Sequence, residues 1–99
     1  MAFEAMFQPI QIGKLTIRNR VLSTAHAEVY ATDGGMTTDR YVKYYEEKAK
    51  GGIGLAICGG SSSVAIDSPQ SWWKSVNLAT DKIIPHFQNL ADAMHKHGA

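Results

Sequence analysis

Ile53 to Cys58 reads Ile-Gly-Leu-Ala-Ile-Cys, six residues with no polar side chain and no alternation. A strand with one wet face alternates, whereas a strand apolar throughout has to be covered on both faces, as in a parallel sheet with helices packed against it. A parallel neighbour must be reached by a crossover, usually a helix, and the preceding sequence supplies both. Asn19 to Ala27, Asn-Arg-Val-Leu-Ser-Thr-Ala-His-Ala, runs through the apolar pair Val21-Leu22 and reads as a short buried strand. Between the two strands, Thr37 or Thr38 caps a helix running to about Lys50, with Tyr41, Val42, Tyr45 and Ala49 as its apolar stripe. Gly51 stands where a left-handed C-cap belongs, and Glu46 and Lys50 are spaced for an ion pair on one helix face. These segments predict a βαβ unit.

On the N-terminal side, Ile10 to Ile17 alternates apolar and polar residues about Gly13-Lys14. That pattern predicts a hairpin with a type II′ turn, Ile12 facing Leu15 and Ile10 facing Ile17. A two-stranded hairpin is marginal alone, so its apolar face must cover something larger. Phe3, Met6 and Phe7 before it suggest a single-turn start anchored by aromatics. Asp33-Gly34-Gly35 marks a turn before the first helix. After Cys58, a long loop from Gly59 to Thr80 is of a length usual for lids or binding loops. A last helix follows to His97, with Ile83, Ile84, Phe87, Leu90, Ala91 and Met94 as its stripe. Pro85 fits only its first turn, so the regular helix begins a residue or two after Thr80.

Hairpin, strand, helix, strand, loop, helix is an α/β order, but two parallel strands and two helices cannot close a core. A (β/α)8 barrel takes about 250 residues. The 99 residues are therefore expected to be the N-terminal part of a larger protein.

The C-terminal ends of parallel strands are where chemistry collects in such barrels. Ser23, Thr24, Ala25 and Ala27 are small enough to let a flat ring lie against the backbone, leaving peptide groups to bond its polar edge. His26 is either a ligand-facing group or a satisfied structural histidine. Gly59-Gly60, just beyond a strand's C-terminal end, is better placed for a dinucleotide or phosphate loop, or is simply a flexible strand exit. Trp72 and Trp73 are packing anchors or substrate walls, with anchoring the commoner use. The glycines at 51, 52 and 54 precede their strand, so they are no phosphate loop. Cys58 is the single cysteine, which gives no disulfide and no zinc or iron–sulfur spacing and suits a reducing cytoplasm. His95 and His97, two apart, make a poor metal pair and more naturally offset a helix dipole. A net charge of +1 with mixed signs leaves no footprint for nucleic acid or an anionic membrane. The N-terminus has no basic stretch of a secretory signal, and no apolar run approaches the roughly 20 residues of a spanning helix.

Phe7-Gln8-Pro9-Ile10, Ile12 to Arg20, Asp33-Gly34, Tyr44-Tyr45, Lys48 to Leu55 and the closing His95-Lys96-His97-Gly98-Ala99 resemble, in order and spacing, the Old Yellow Enzyme family of flavin oxidoreductases. Ser23 to Ala27 and Ile84 to Phe87 are most similar to its N-demethylase and amine-dehydrogenase branch, whose members act on N-methylproline, stachydrine and trimethylamine. The resemblance implies the first two βα units of an FMN-binding (β/α)8 barrel with the hairpin plugging its bottom, all within a single domain. It places Thr24, Ala25, His26, Ala27 and Gly60 at the flavin, with His26 the candidate catalytic side chain. Family members often carry a flavin-tuning or flavin-bonding side chain at the Ala27 position; alanine implies non-covalent FMN. An aromatic cage residue of the trimethylamine enzyme falls at Gly60, which argues against that substrate. The implied reaction is hydride transfer from an N-methyl carbon to flavin, then hydrolysis to formaldehyde and the demethylated amine. The alternatives are NAD(P)H-dependent reduction of an activated alkene, and a fragment that is inactive without the rest of the barrel. The implied partner is a small-molecule substrate, the resemblance allows a homo-oligomer, and any iron–sulfur cluster would belong to later residues.

Overall fold

The computed structural model describes residues 2–60, 62–68 and 73–99. A 3-10 turn over Glu4–Phe7 leads into a hairpin of β1 (Ile10–Ile12) and β2 (Leu15–Ile17). The register pairs Ile10 with Ile17 and Ile12 with Leu15, as the alternation predicts. Gly13 has φ +58° while Lys14 does not enter the left-handed region, which is the φ signature of glycine at the first central position of a type II′ turn. The aromatics of the first turn do not anchor it: Phe3 and Phe7 are exposed. Its tie is backbone, the Arg20 N–H donating to the Met6 carbonyl at 2.9 Å.

The βαβ unit follows. β3 (Leu22–Ser23) and β4 (Leu55–Ala56) pair in parallel, Leu22 beside Leu55 and Ser23 beside Ala56. Regular pairing is shorter than the apolar runs, and Leu22 and Ile57 are exposed, contrary to strands covered on both faces. The physical reason is that Ser23 and Ala56 turn to the helices, while Leu22 and Leu55 face a cavity lined by Ile10, Ile12 and Ile17 of the hairpin.

Helix α1 (Asp39–Lys50) begins at Thr38, whose Oγ1 accepts the Tyr41 N–H at 3.1 Å and donates to the Tyr30 carbonyl. That satisfies one of the four orphan amides at the helix start. Tyr41, Tyr45 and Ala49 form the buried face. Gly51 is right-handed, and the left-handed residue expected there is Gly52, φ +106°. Lys50 pairs with Glu47 at 3.4 Å, while Glu46 turns to His97, fifty-one residues along the chain, at 3.1 Å. The His97 hydrogen bond holds the Glu46 carboxyl below its ordinary range. So His97 ties the two helices together rather than serving a helix end.

A 3-10 turn, Asp81–Ile83, precedes α2 (Ile84–His95), which places Pro85 in the first turn. Leu90 and Met94 are buried against α1, but Ile84 points out and is no part of the stripe. Among the described residues of the long loop, Val76 is the buried apolar anchor. Trp73 is 68% exposed under the Lys74 ammonium, 4.2 Å from the ring centre. Trp72 lies outside the described residues. The returning limb is held by Ala31 N–H to the Lys74 carbonyl, Asn77 N–H to the Gly35 carbonyl and a parallel bridge from Ser63 to Asn77. Gly35 has to be glycine: its φ is +82°, and a Cβ would sit 2.4 Å from that of Asn77. No helix among the described residues is long and apolar enough to cross a membrane.

Arg18, leaving the hairpin, closes the lower end. Its guanidinium donates to the carbonyls of Ala49 at 2.8 Å, Ile53 at 2.9 and 3.1 Å, and His97. The neighbouring Asn19 side chain donates to the Gly52 carbonyl at 2.7 Å and accepts the Val21 N–H at 3.1 Å. Each charge-assisted bond contributes roughly 1.5–3 kcal/mol, so in the complete protein Arg18→Met should lower the unfolding free energy by about 3 kcal/mol or more. Arg18→Lys should recover less than half of that, since an ammonium lacks the fork. Denaturant titration checks both values.

Candidate cofactor site

Beyond Ser23 and Ala56 the chain leaves regular pairing, yet the two strand exits stay together. A Cβ at Gly60 would lie 2.3 Å from the His26 carbonyl carbon and 2.6 Å from the Ala27 nitrogen. The second exit therefore rests on the backbone of the first, at a distance only glycine permits. Thr24, Ala25, Ala27 and Gly60 are brought to one place, Thr24, Ala25 and Gly60 open to solvent. Among the described residues no backbone hydrogen bond occupies the N–H groups of Thr24, Ala25, Ala27 or Gly60. A surface of small side chains with donor groups unspent fits the flat, polar-edged cofactor that the sequence suggests.

The His26 side chain is turned the other way. Its Nδ1 lies 3.0 Å from the Thr24 carbonyl, which can only accept, so Nδ1 carries the proton in the neutral ring. Nε2 then accepts from the Tyr44 hydroxyl at 2.5 Å. The ring meets Tyr44 edge-on and Tyr45 at a tilt. His26 thus joins the aromatic face of α1 in this structure, with both nitrogens engaged inside the chain.

That face holds groups the sequence marked as stripe or motif residues but not as part of the site. Lys48 donates to the Ser23 hydroxyl at 2.8 Å, with its ammonium 4.7 Å from the Tyr44 ring centre. Tyr45 donates to Glu28 Oε2 at 2.8 Å and accepts the Gly59 N–H at 3.3 Å. Helical spacing shows that residues 41, 44, 45 and 48 share a side of α1, but not what the strand exits place opposite them. The Tyr41 hydroxyl is buried and finds no hydrogen-bond partner among the described residues. Burial raises both tyrosines far above the ordinary phenol value, and for Tyr41 the neighbouring Tyr45 adds to it. Burial, with the Glu28 carboxylate nearby, pushes the Cys58 thiol up to about 11.

Residues 5–99 match the model of the NADH:flavin oxidoreductase / NADH oxidase family. The chain is 82% identical over 98 residues to the N,N-dimethylglycine/sarcosine dehydrogenase of Chromohalobacter salexigens, covering 99% of this chain and 14% of that protein. It is 41% identical over 96 residues to the "Multifunctional alkene reductase/demethylase OYE" of Caballeronia cordobensis, covering 97% of this chain and 14% of that one. The old yellow enzyme of Trypanosoma cruzi superposes with a TM-score of 0.86 at 26% identity, over 100% of this chain and 26% of that structure. The fold is the N-terminal portion of a (β/α)8 barrel: the hairpin and the first two βα units. The chain spans about one seventh of the length of these two curated relatives.

Two outcomes follow from this geometry. In the complete protein, Gly60→Ala must push the strand exits apart, so FMN content should fall and stability drop by roughly 1–3 kcal/mol, the usual cost of overpacking. Cofactor absorbance and thermal unfolding measure both. The Cys58, Tyr41 and Tyr45 values are raised in the folded state, so the unfolded chain releases these protons first. The stability they lend is full below the ordinary thiol value of 9.0 and drains as pH climbs through about 11 for Cys58. Cys58 should therefore alkylate at pH 8 about a hundredfold more slowly than a free cysteine, and a rate near the free thiol's would contradict the burial.

Proposed function

The chain belongs to the NADH:flavin oxidoreductase / NADH oxidase family, and on that premise we propose that the complete protein is an FMN-dependent oxidoreductase that demethylates a small N-methylated amine or amino acid. The observation carrying this reading is the 82% identity, over nearly the whole chain, to an N,N-dimethylglycine/sarcosine dehydrogenase. The 99 residues are the opening part of one FMN-binding barrel domain. Bound FMN supplies the hydride acceptor.

The residues of this chain seat and orient. Thr24, Ala25, Ala27 and Gly60 would hold the ring, their small side chains letting it lie against the backbone and their N–H groups donating to its polar edge. Ala27 offers no nucleophile, so this position would hold FMN without a covalent bond. His26 is the catalytic candidate of this chain. A direct role at the ring or the substrate requires it to exchange its bond to Tyr44; otherwise it shapes the seat by fixing the Thr24 carbonyl inward. The 99 residues alone supply only part of a seat and should neither retain FMN nor turn over.

A second reading, alkene reduction at the expense of NAD(P)H, is favoured by the name of the 41% identical relative, which joins alkene reductase with demethylase. A substrate panel separates the two. Under anaerobic conditions, sarcosine or N,N-dimethylglycine should bleach the visible flavin absorbance of the complete protein and release formaldehyde. Bleaching by NAD(P)H with turnover of an enone, and none with N-methylated amino acids, would establish the alkene reading instead.

A further inference from the structure

Tyr45 is fully buried in the middle of α1, yet its hydroxyl is not spent within the helix. It donates to Glu28, two residues after His26, and accepts from the N–H of Gly59, the residue before Gly60. One oxygen atom therefore joins the two chain segments that leave β3 and β4. Gly60 adds the second tie, resting on the His26–Ala27 backbone. The ring is held from the sides by Tyr41 and Tyr44, with centres 5.1 and 5.3 Å away, so the hydroxyl has little freedom to choose other partners. We propose that Tyr45 is a positioning residue for the flavin seat, its hydroxyl setting the separation of the two strand exits through Glu28 and Gly59.

The proposal rests on the flavin reading above and adds to it the residue that holds the seat in shape. Phenylalanine keeps the ring packing and removes only the bridge, leaving the Gly59 N–H and the Glu28 carboxylate without that partner. The substitution thus separates positioning from packing.

The test uses the complete protein, stripped of cofactor and titrated with FMN. Tyr45→Phe should weaken FMN binding roughly tenfold, in line with the loss of one hydrogen bond to a charged group, and change the visible circular dichroism of bound FMN. Glu28→Ala should do the same, Glu28→Gln, which can still accept from the phenol, should stay near wild type, and the double variant Tyr45→Phe/Glu28→Ala should be no worse than either single change. An affinity within twofold of wild type and an unchanged flavin dichroism in Tyr45→Phe, with only the melting temperature lowered, would overturn the proposal and leave Tyr45 a packing residue. Should that variant fail to fold, the Glu28 pair decides, and equal FMN affinity in Glu28→Ala and Glu28→Gln would overturn it. A wild-type protein that binds no FMN would defeat the flavin reading itself, a result distinguishable from a yellow wild type whose Tyr45→Phe form binds as tightly.

Discussion

One guanidinium holds the lower end of this molecule. Arg18 reaches the carbonyls of Ala49, Ile53 and His97, which belong to the last turn of α1, the approach to β4 and the turn that follows α2. Carbonyls at helix ends lack intrahelical partners and carry the negative end of the dipole, so a planar cation with several donors satisfies charge and geometry together. The surrounding glycines follow from it. A Cβ at Gly98 would stand 2.8 Å from the Arg18 guanidinium, and one at Gly54 would stand 2.6 Å from the Asn19 carbonyl oxygen. The Arg18-Asn19 pair is the mould against which Gly51 to Gly54 is cast.

Because that clamp fixes one end of α1, the position of its other residues is determined too. A twelve-residue helix is a rod about 18 Å long, and its aromatic face looks onto the opposite ends of the strands. Tyr44 meets His26, Tyr45 meets Glu28 and Gly59, and Lys48 meets Ser23. The helix thus transmits the placement made at the amino ends of β3 and β4 to their carboxyl ends. Hydrogen bonds rather than close-packed aliphatics make most of these ties, which suits a region where small residues have left little to pack.

The sequence was legible where local chemistry and period agree. Alternation about Gly13-Lys14 determined the hairpin register, Thr38 and the tyrosine stripe determined α1, and two apolar runs flanking a helix determined a parallel pair. It was mute where the partner is a backbone carbonyl or a residue far along the chain. Nothing local in Arg18 announces three carbonyl partners, and Glu46 finds His97 across fifty-one residues rather than Lys50 across four. Gly51 and Gly52 are equally able to be left-handed, and only the path into β4 selects the second. Trp73 shows the limit of composition, since a large apolar ring in a loop packs only if the returning limb brings a surface to it. Here that limb buries Val76 instead.

The candidate seat was legible as residue types but not as directions. Thr24, Ala25, Ala27 and Gly60 were recognisable because smallness is a property of the letter itself. The His26 ring was not, because its orientation depends on a carbonyl two residues away and a phenol on α1. The consequence reaches the chemistry. With the imidazole directed at the helix, what Thr24, Ala25, Ala27 and Gly60 leave at the strand exits is small side chains and backbone, whose positions are set mainly by the chain path. A surface of that kind holds its geometry only as well as the two exits hold theirs. The ties made by the Tyr45 hydroxyl and the Gly60 contact therefore matter more to it than the identity of any side chain in the row.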